Sequence, residues 1–104
     1  MIASHHSGLK SILYVEDDLH VRSTAKLVLE VLGKFNVRDC SSGPEALRAA
    51  TSFDPDLILL DVMMPGMDGE RVAEMLLDDP VTRDIPIVFL TARADVRDRA
   101  RGID

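Results

Sequence analysis

An α/β fold, with a parallel sheet covered by helices on both faces, is predicted by three features of the sequence. Continuous apolar runs recur at Ile12-Leu13-Tyr14-Val15, Leu57-Ile58-Leu59-Leu60 and Ile87-Val88-Phe89-Leu90. Unbroken rather than alternating apolarity marks strands buried on both faces. Stretches of helical period separate these runs, so the order reads β-α-β-α-β-α-β-α, and right-handed crossovers between successive strands make such a sheet parallel. The 104 residues suit one domain, and no repeat, low-complexity tract or linker interrupts them.

The elements follow in order. The segment 1–9 is polar and reads as a flexible lead-in, in which His5 and His6 are solvated rather than metal-binding. After the first strand, Asp18 can cap a helix. Val21, Ala25, Val28 and Leu32 then fall on one side, with Arg22, Lys26 and Glu30 opposite and Gly33 as the stop. Phe35, Val37 and Cys40 give a weaker second strand. Ser42-Gly43-Pro44-Glu45 has the form of a capping box with Pro in the first turn. The helix it starts turns Ala46, Leu47 and Ala50 inward and is broken by Phe53-Asp54-Pro55-Asp56. The third strand ends in Asp61. A loop through Gly69 leads to a helix carrying Val72, Met75 and Leu76, which Asp78-Asp79-Pro80 terminates. The fourth strand runs into Thr91, and a last helix is predicted from Ala94 to Arg101.

Composition narrows the function. A net charge of −6 argues against a nucleic-acid surface, whose affinity rests on neutralising phosphates. No apolar run approaches the roughly 20 residues of a membrane span. The first ten residues lack a signal-peptide core, and the single Cys40 excludes an internal disulfide. A cytoplasmic domain is expected.

Chemistry in open parallel α/β sheets collects beyond the carboxyl ends of the strands. Glu16 and Asp17 follow the first strand, Asp61 ends the third and Thr91 follows the fourth. An Asp after a strand is commonly a cap or turn residue. Three strand-end acids and a Thr in one small domain are not explained that way. Three converging carboxylates must share protons or hold a cation, and Mg²⁺, a hard ion with oxygen ligands, is the natural occupant. A carboxylate beside such an ion can attack phosphorus, and a hydroxyl can donate to a phosphoryl oxygen.

The residues Tyr14-Val15-Glu16-Asp17-Asp18, Leu59-Leu60-Asp61-Val62-Met63-Met64-Pro65-Gly66-Met67-Asp68-Gly69 and Phe89-Leu90-Thr91-Ala92 resemble the response-regulator receiver family of two-component systems. The intervals between Asp17, Asp61 and Thr91 match that family as well. The resemblance implies a flavodoxin-like doubly wound sheet of strand order 2-1-3-4-5. It implies Asp61 as phosphoacceptor, loaded by a sensor histidine kinase or phosphotransfer protein. Mg²⁺ would be bound by Asp17, by Asp61, by Glu16 through a water and by the Met63 backbone carbonyl. Thr91 would be the switch hydroxyl. The side chains of Met63 and Arg93 would flank the path of attacking water, bulky Met63 slowing hydrolysis. The chain would thus act as a signalling receiver, not an enzyme on other substrates.

A receiver normally adds a fifth strand, carrying a Lys, and a fifth helix. The sequence reaches Asp104 where that stretch is expected to begin. Lys10, Lys26 and Lys34 lie before the acceptor in the wrong elements to replace that Lys. The expectation is therefore an incomplete receiver over 10–104, with apolar surface uncovered near the first helix and the fourth strand open as an edge. Pairing of two copies along that edge, capture of a partner or poor stability would follow. The arginines at 93, 97, 99 and 101 read as a solvated face balanced by Asp95 and Asp98. Three other functions remain open on the residues. A Mg²⁺-dependent phosphohydrolase of the haloacid-dehalogenase type needs a second acid where Met63 stands. A cofactor binder needs a Gly- and Ser-rich loop where the carboxylates stand. A degenerate receiver would serve only as a docking module.

Overall fold

The computed structural model describes residues 8–66 and 68–90. Seven elements follow in order: β1 (Ser11–Val15), α1 (Leu19–Val31), β2 (Asn36–Cys40), α2 (Gly43–Phe53), β3 (Leu57–Asp61), α3 (Gly69–Asp78) and β4 (Ile87–Leu90). Each matches an element expected from the sequence. The helix expected from Ala94 lies outside the described residues, as do His5 and His6.

All three strand pairings are parallel, and the order is β2-β1-β3-β4. Right-handed crossovers put α1 on one face of the sheet, and α2 and α3 together on the other. Leu13 and Val15 of β1 and Ile58 and Leu60 of β3 point to that second face. They form one core with Ala46, Ala49 and Ala50 of α2 and with Val72, Ala73 and Leu76 of α3. Small alanines let α2 lie close to the sheet, while the larger residues of α3 fill the remaining space. Among the described residues β4 is an edge strand, with Val88 and Phe89 exposed.

The sequence announces the caps of α1 and α2, the second with one shift, while the cap of α3 is seen only in the structure. Asp18 accepts from the Val21 amide at 3.0 Å and Asp68 from the Arg71 amide at 2.9 Å. Ser42 accepts from the Glu45 amide at 3.3 Å, but Glu45 reaches back one residue further than a capping box requires, to the Ser41 amide at 2.9 Å. Asp54 ends α2 in the left-handed region at φ 52°, which Asp tolerates better than most residues. At the end of α1, Lys34 rather than Gly33 adopts positive φ. Gly33 serves another purpose: a Cβ there would lie 2.6 Å from the Phe35 ring and 2.7 Å from the Leu29 carbonyl oxygen.

The apolar side expected of α1 does not turn to the sheet as a block. Val21 and Val28 are each 47% exposed and Leu32 is 76% exposed, and no residue of α1 is fully buried. The less exposed residues are Arg22, Ala25, Lys26 and Leu29. Two residues of the charged stripe meet a partner on the sheet. Arg22 Nε lies 3.1 Å and Lys26 Nζ 3.8 Å from the carboxylate of Asp39 on β2, so the polar side faces the sheet end.

Candidate functional site

Parallel register brings the acids together. Val15 of β1 pairs with Leu60 of β3, so Glu16 and Asp17 emerge beside Asp61. One carboxylate oxygen from each of Glu16, Asp17 and Asp61 lies within 4.8 Å of the others. Glu16 is 4% and Asp61 3% exposed, while Asp17 is half-buried. Taking carboxylates out of water is costly unless they are paired, hydrogen-bonded or bound to a metal. An all-oxygen cluster, buried on one side and open at Asp17, fits a hard divalent cation that keeps part of its water shell.

The surrounding backbone holds the cluster in place. The Glu16 amide donates to the Cys40 carbonyl at 3.0 Å, which ties the loop after β1 to the end of β2. Glu16 Oε2 accepts from the Asp18 amide at 2.9 Å. On the other strand the Met63 amide donates to Asp61 Oδ1 at 3.1 Å, which orients that carboxylate and fixes the start of the loop. The loop returns where the Gly69 amide donates to the Val62 carbonyl at 3.0 Å. Cys40 sits at the rim of this region, and its burial, reinforced by Glu45, pushes the thiol up to about 11.

The structure thus brings together Glu16, Asp17, Asp61 and the Met63 backbone. Thr91 and Arg93 lie outside the described residues. Two participants were not recognised in the sequence. The sequence puts Arg22 only on the polar stripe of α1, but its Nη1 donates to the Glu16 carbonyl at 2.8 Å and, at 3.4 Å, to that of Asp17. The available signal is its position one turn into the helix that follows the acidic pair. Gly69 was read only as part of a motif. A Cβ on it would meet the Asp61 carbonyl oxygen and lie 2.8 Å from Val62 Cα.

The model for the response regulator receiver domain matches residues 12–104. The chain belongs to this family. Response regulator PleD of Caulobacter vibrioides is 47% identical to this receiver over 95 residues, covering 89% of the chain but 20% of PleD. The phosphate regulon regulatory protein PhoB of Klebsiella pneumoniae is 40% identical over 95 residues, covering 91% of the chain and 41% of PhoB. The receiver therefore spans well under half the length of these relatives. Among solved structures, the receiver domain of sensor histidine kinase PA1611 from Pseudomonas aeruginosa superposes with a TM-score of 0.76 at 32% identity. That match covers 88% of this chain and 75% of the other, and the PA1611 structure has a magnesium ion coordinated in its active site cleft. Among the described residues no helix is long and apolar enough to cross a membrane.

Proposed function

We propose that this receiver accepts a phosphoryl group on Asp61, with Mg²⁺ held by Glu16, Asp17, Asp61 and the Met63 carbonyl. The observation that carries the reading is the approach of three carboxylates to within 4.8 Å at the ends of two paired strands. The magnesium in the PA1611 receiver supports the choice of ion. The donor class is a phosphohistidine on a sensor kinase or phosphotransfer protein. A carboxylate oxygen of Asp61 forms the new P–O bond as the N–P bond breaks, and the imidazole leaves with the electron pair and takes up a proton. Bound Mg²⁺ would supply charge neutralisation for the phosphoryl oxygens.

The chain's own groups prepare that step. The Met63 amide bond limits rotation of the Asp61 carboxylate, and burial of Asp61 keeps water from competing for it. Thr91 is assigned the hydroxyl that donates to the transferred group and transmits the change. Lacking an acid two positions after Asp61, the site is poorly equipped to hydrolyse free phosphate esters, because Met63 cannot exchange a proton.

Beryllofluoride, a phosphoryl mimic, tests the reading. Saturable, Mg²⁺-dependent binding that disappears in Asp61→Asn is expected. Mg²⁺ binding without beryllofluoride binding would overturn phosphoacceptance and leave a metal-bound docking module.

A further inference from the structure

The geometry points to Arg22 as a positioning residue for the metal site, a clamp that sets where the Glu16–Asp17 backbone lies relative to Asp61. The inference rests on the metal-site reading above and adds a residue to it.

Arg22 is one turn into α1, and helical side chains lean toward the N-terminus, so its guanidinium reaches back over the first turn. A cation at that end of a helix opposes the helix dipole, so other contacts must hold it there. They come from both sides. Nε donates to Asp39 Oδ2 of β2 at 3.1 Å, and Nη1 donates to the Glu16 carbonyl at 2.8 Å, with a longer contact to the Asp17 carbonyl. The side chain is only 14% exposed, which spares these bonds most competition from water. Glu16 is itself buried, so its carbonyl needs an internal donor, and Arg22 supplies one.

β2 lies on the opposite side of β1 from β3. The clamp and the Glu16 amide bond to Cys40 therefore hold the loop from the β2 side, while the carboxylates face Asp61 on the β3 side. A planar, forked donor holds Asp39 and the carbonyl in one fixed geometry, whereas an ammonium is a compact charge with rotatable donors on a flexible stem.

Two accounts of Arg22 predict opposite signs. As a mere positive charge near the site it would repel a cation, so Arg22→Met would tighten Mg²⁺ binding and Arg22→Lys would leave it unchanged. As a clamp its loss disorders the ligand-bearing loop, so both variants bind more weakly. About tenfold is expected for Met, the usual cost of removing a group that orients metal ligands, and several-fold for Lys. The experiment is calorimetric titration of the chain with MgCl₂, together with amide hydrogen exchange at Asp17 and Asp18 in the metal-free protein. Weaker binding and faster exchange in Arg22→Lys are expected. Unchanged exchange, or Mg²⁺ binding as tight as the parent chain, would overturn the clamp. Should the parent chain bind no Mg²⁺, the metal-site reading fails, and exchange alone decides whether Arg22 holds the loop.

Discussion

Gly69 stands directly against the backbone of Asp61: a Cβ at this first residue of α3 would meet the Asp61 carbonyl oxygen and come within 2.8 Å of Val62 Cα. The obstacle is main chain at the end of a buried strand, not the tip of a side chain that can swing away. The helix can approach the sheet this closely only because position 69 has no side chain. That approach also allows the Gly69 amide to close the loop onto the Val62 carbonyl.

Gly69→Ala is therefore expected to push α3 away from β3. The cost is about 1–3 kcal/mol of stability, typical of overpacking at a tight contact. Mg²⁺ affinity should fall as well, because the Asp61 backbone moves. Chemical denaturation and metal titration check both effects. A variant as stable as the parent would show that the contact relaxes freely.

Removing one acid should have opposite effects with and without metal. Asp17→Asn relieves repulsion among carboxylates held within 4.8 Å, so the metal-free chain gains about 1–2 kcal/mol, the scale of a partly screened pair. The same change removes a ligand, so added Mg²⁺ no longer raises the melting temperature. Thermal melts with Mg²⁺ and with a chelator measure the two arms.

Met63 bonds to Asp61 through its backbone, and the residue is 38% exposed. In the proposed phosphoacceptor site its side chain would flank the path of attacking water, where an apolar group excludes water and an amide can orient it. Met63→Asn is expected to shorten the lifetime of the aspartyl phosphate, because a group that orients the attacking water favours its attack. The decay rate after loading from a small-molecule phosphodonor is the measurement, and an unchanged rate would exclude this role.

Asp56 fastens the start of the sheet. Its Oδ2 accepts from the amides of Lys10 and Ser11 and from the Ser11 hydroxyl. The Lys10 amide first, and the Ser11 donors with it, hold the carboxyl below its ordinary range. A carboxyl lowered on folding stabilises the fold above its unfolded value, and the contribution is lost as pH falls through the folded one. Lowering pH below the ordinary carboxylate range should loosen the Lys10 and Ser11 amides, and Asp56→Asn should remove that part of the acid response. Amide temperature coefficients or exchange at those two residues follow it.

Most of the architecture is legible in the sequence. Apolar runs unbroken by polar residues identified β1, β3 and β4 as strands, since such runs mark strands covered on both faces. That burial holds for most of β1 and β3, whereas Val88 and Phe89 of β4 are exposed among the described residues. Asp18, Ser42 and Asp78-Asp79-Pro80 located helix ends, since caps and breakers act on their own neighbours. The acids at 16, 17 and 61 were visible for the same local reason, each standing where a strand stops. The sheet order came from resemblance rather than pattern, because strand pairing is a long-range property.

Other features depend on the folded chain. The register of Val15 with Leu60 sets the acids side by side, and no local signal encodes a register between strands so far apart in the chain. Arg22 and Lys26 of α1 lie against Asp39 of β2, a partner that helical periodicity cannot reveal. Gly69 proves to be a packing requirement and Arg22 a backbone anchor, since both roles depend on atoms brought near only by folding.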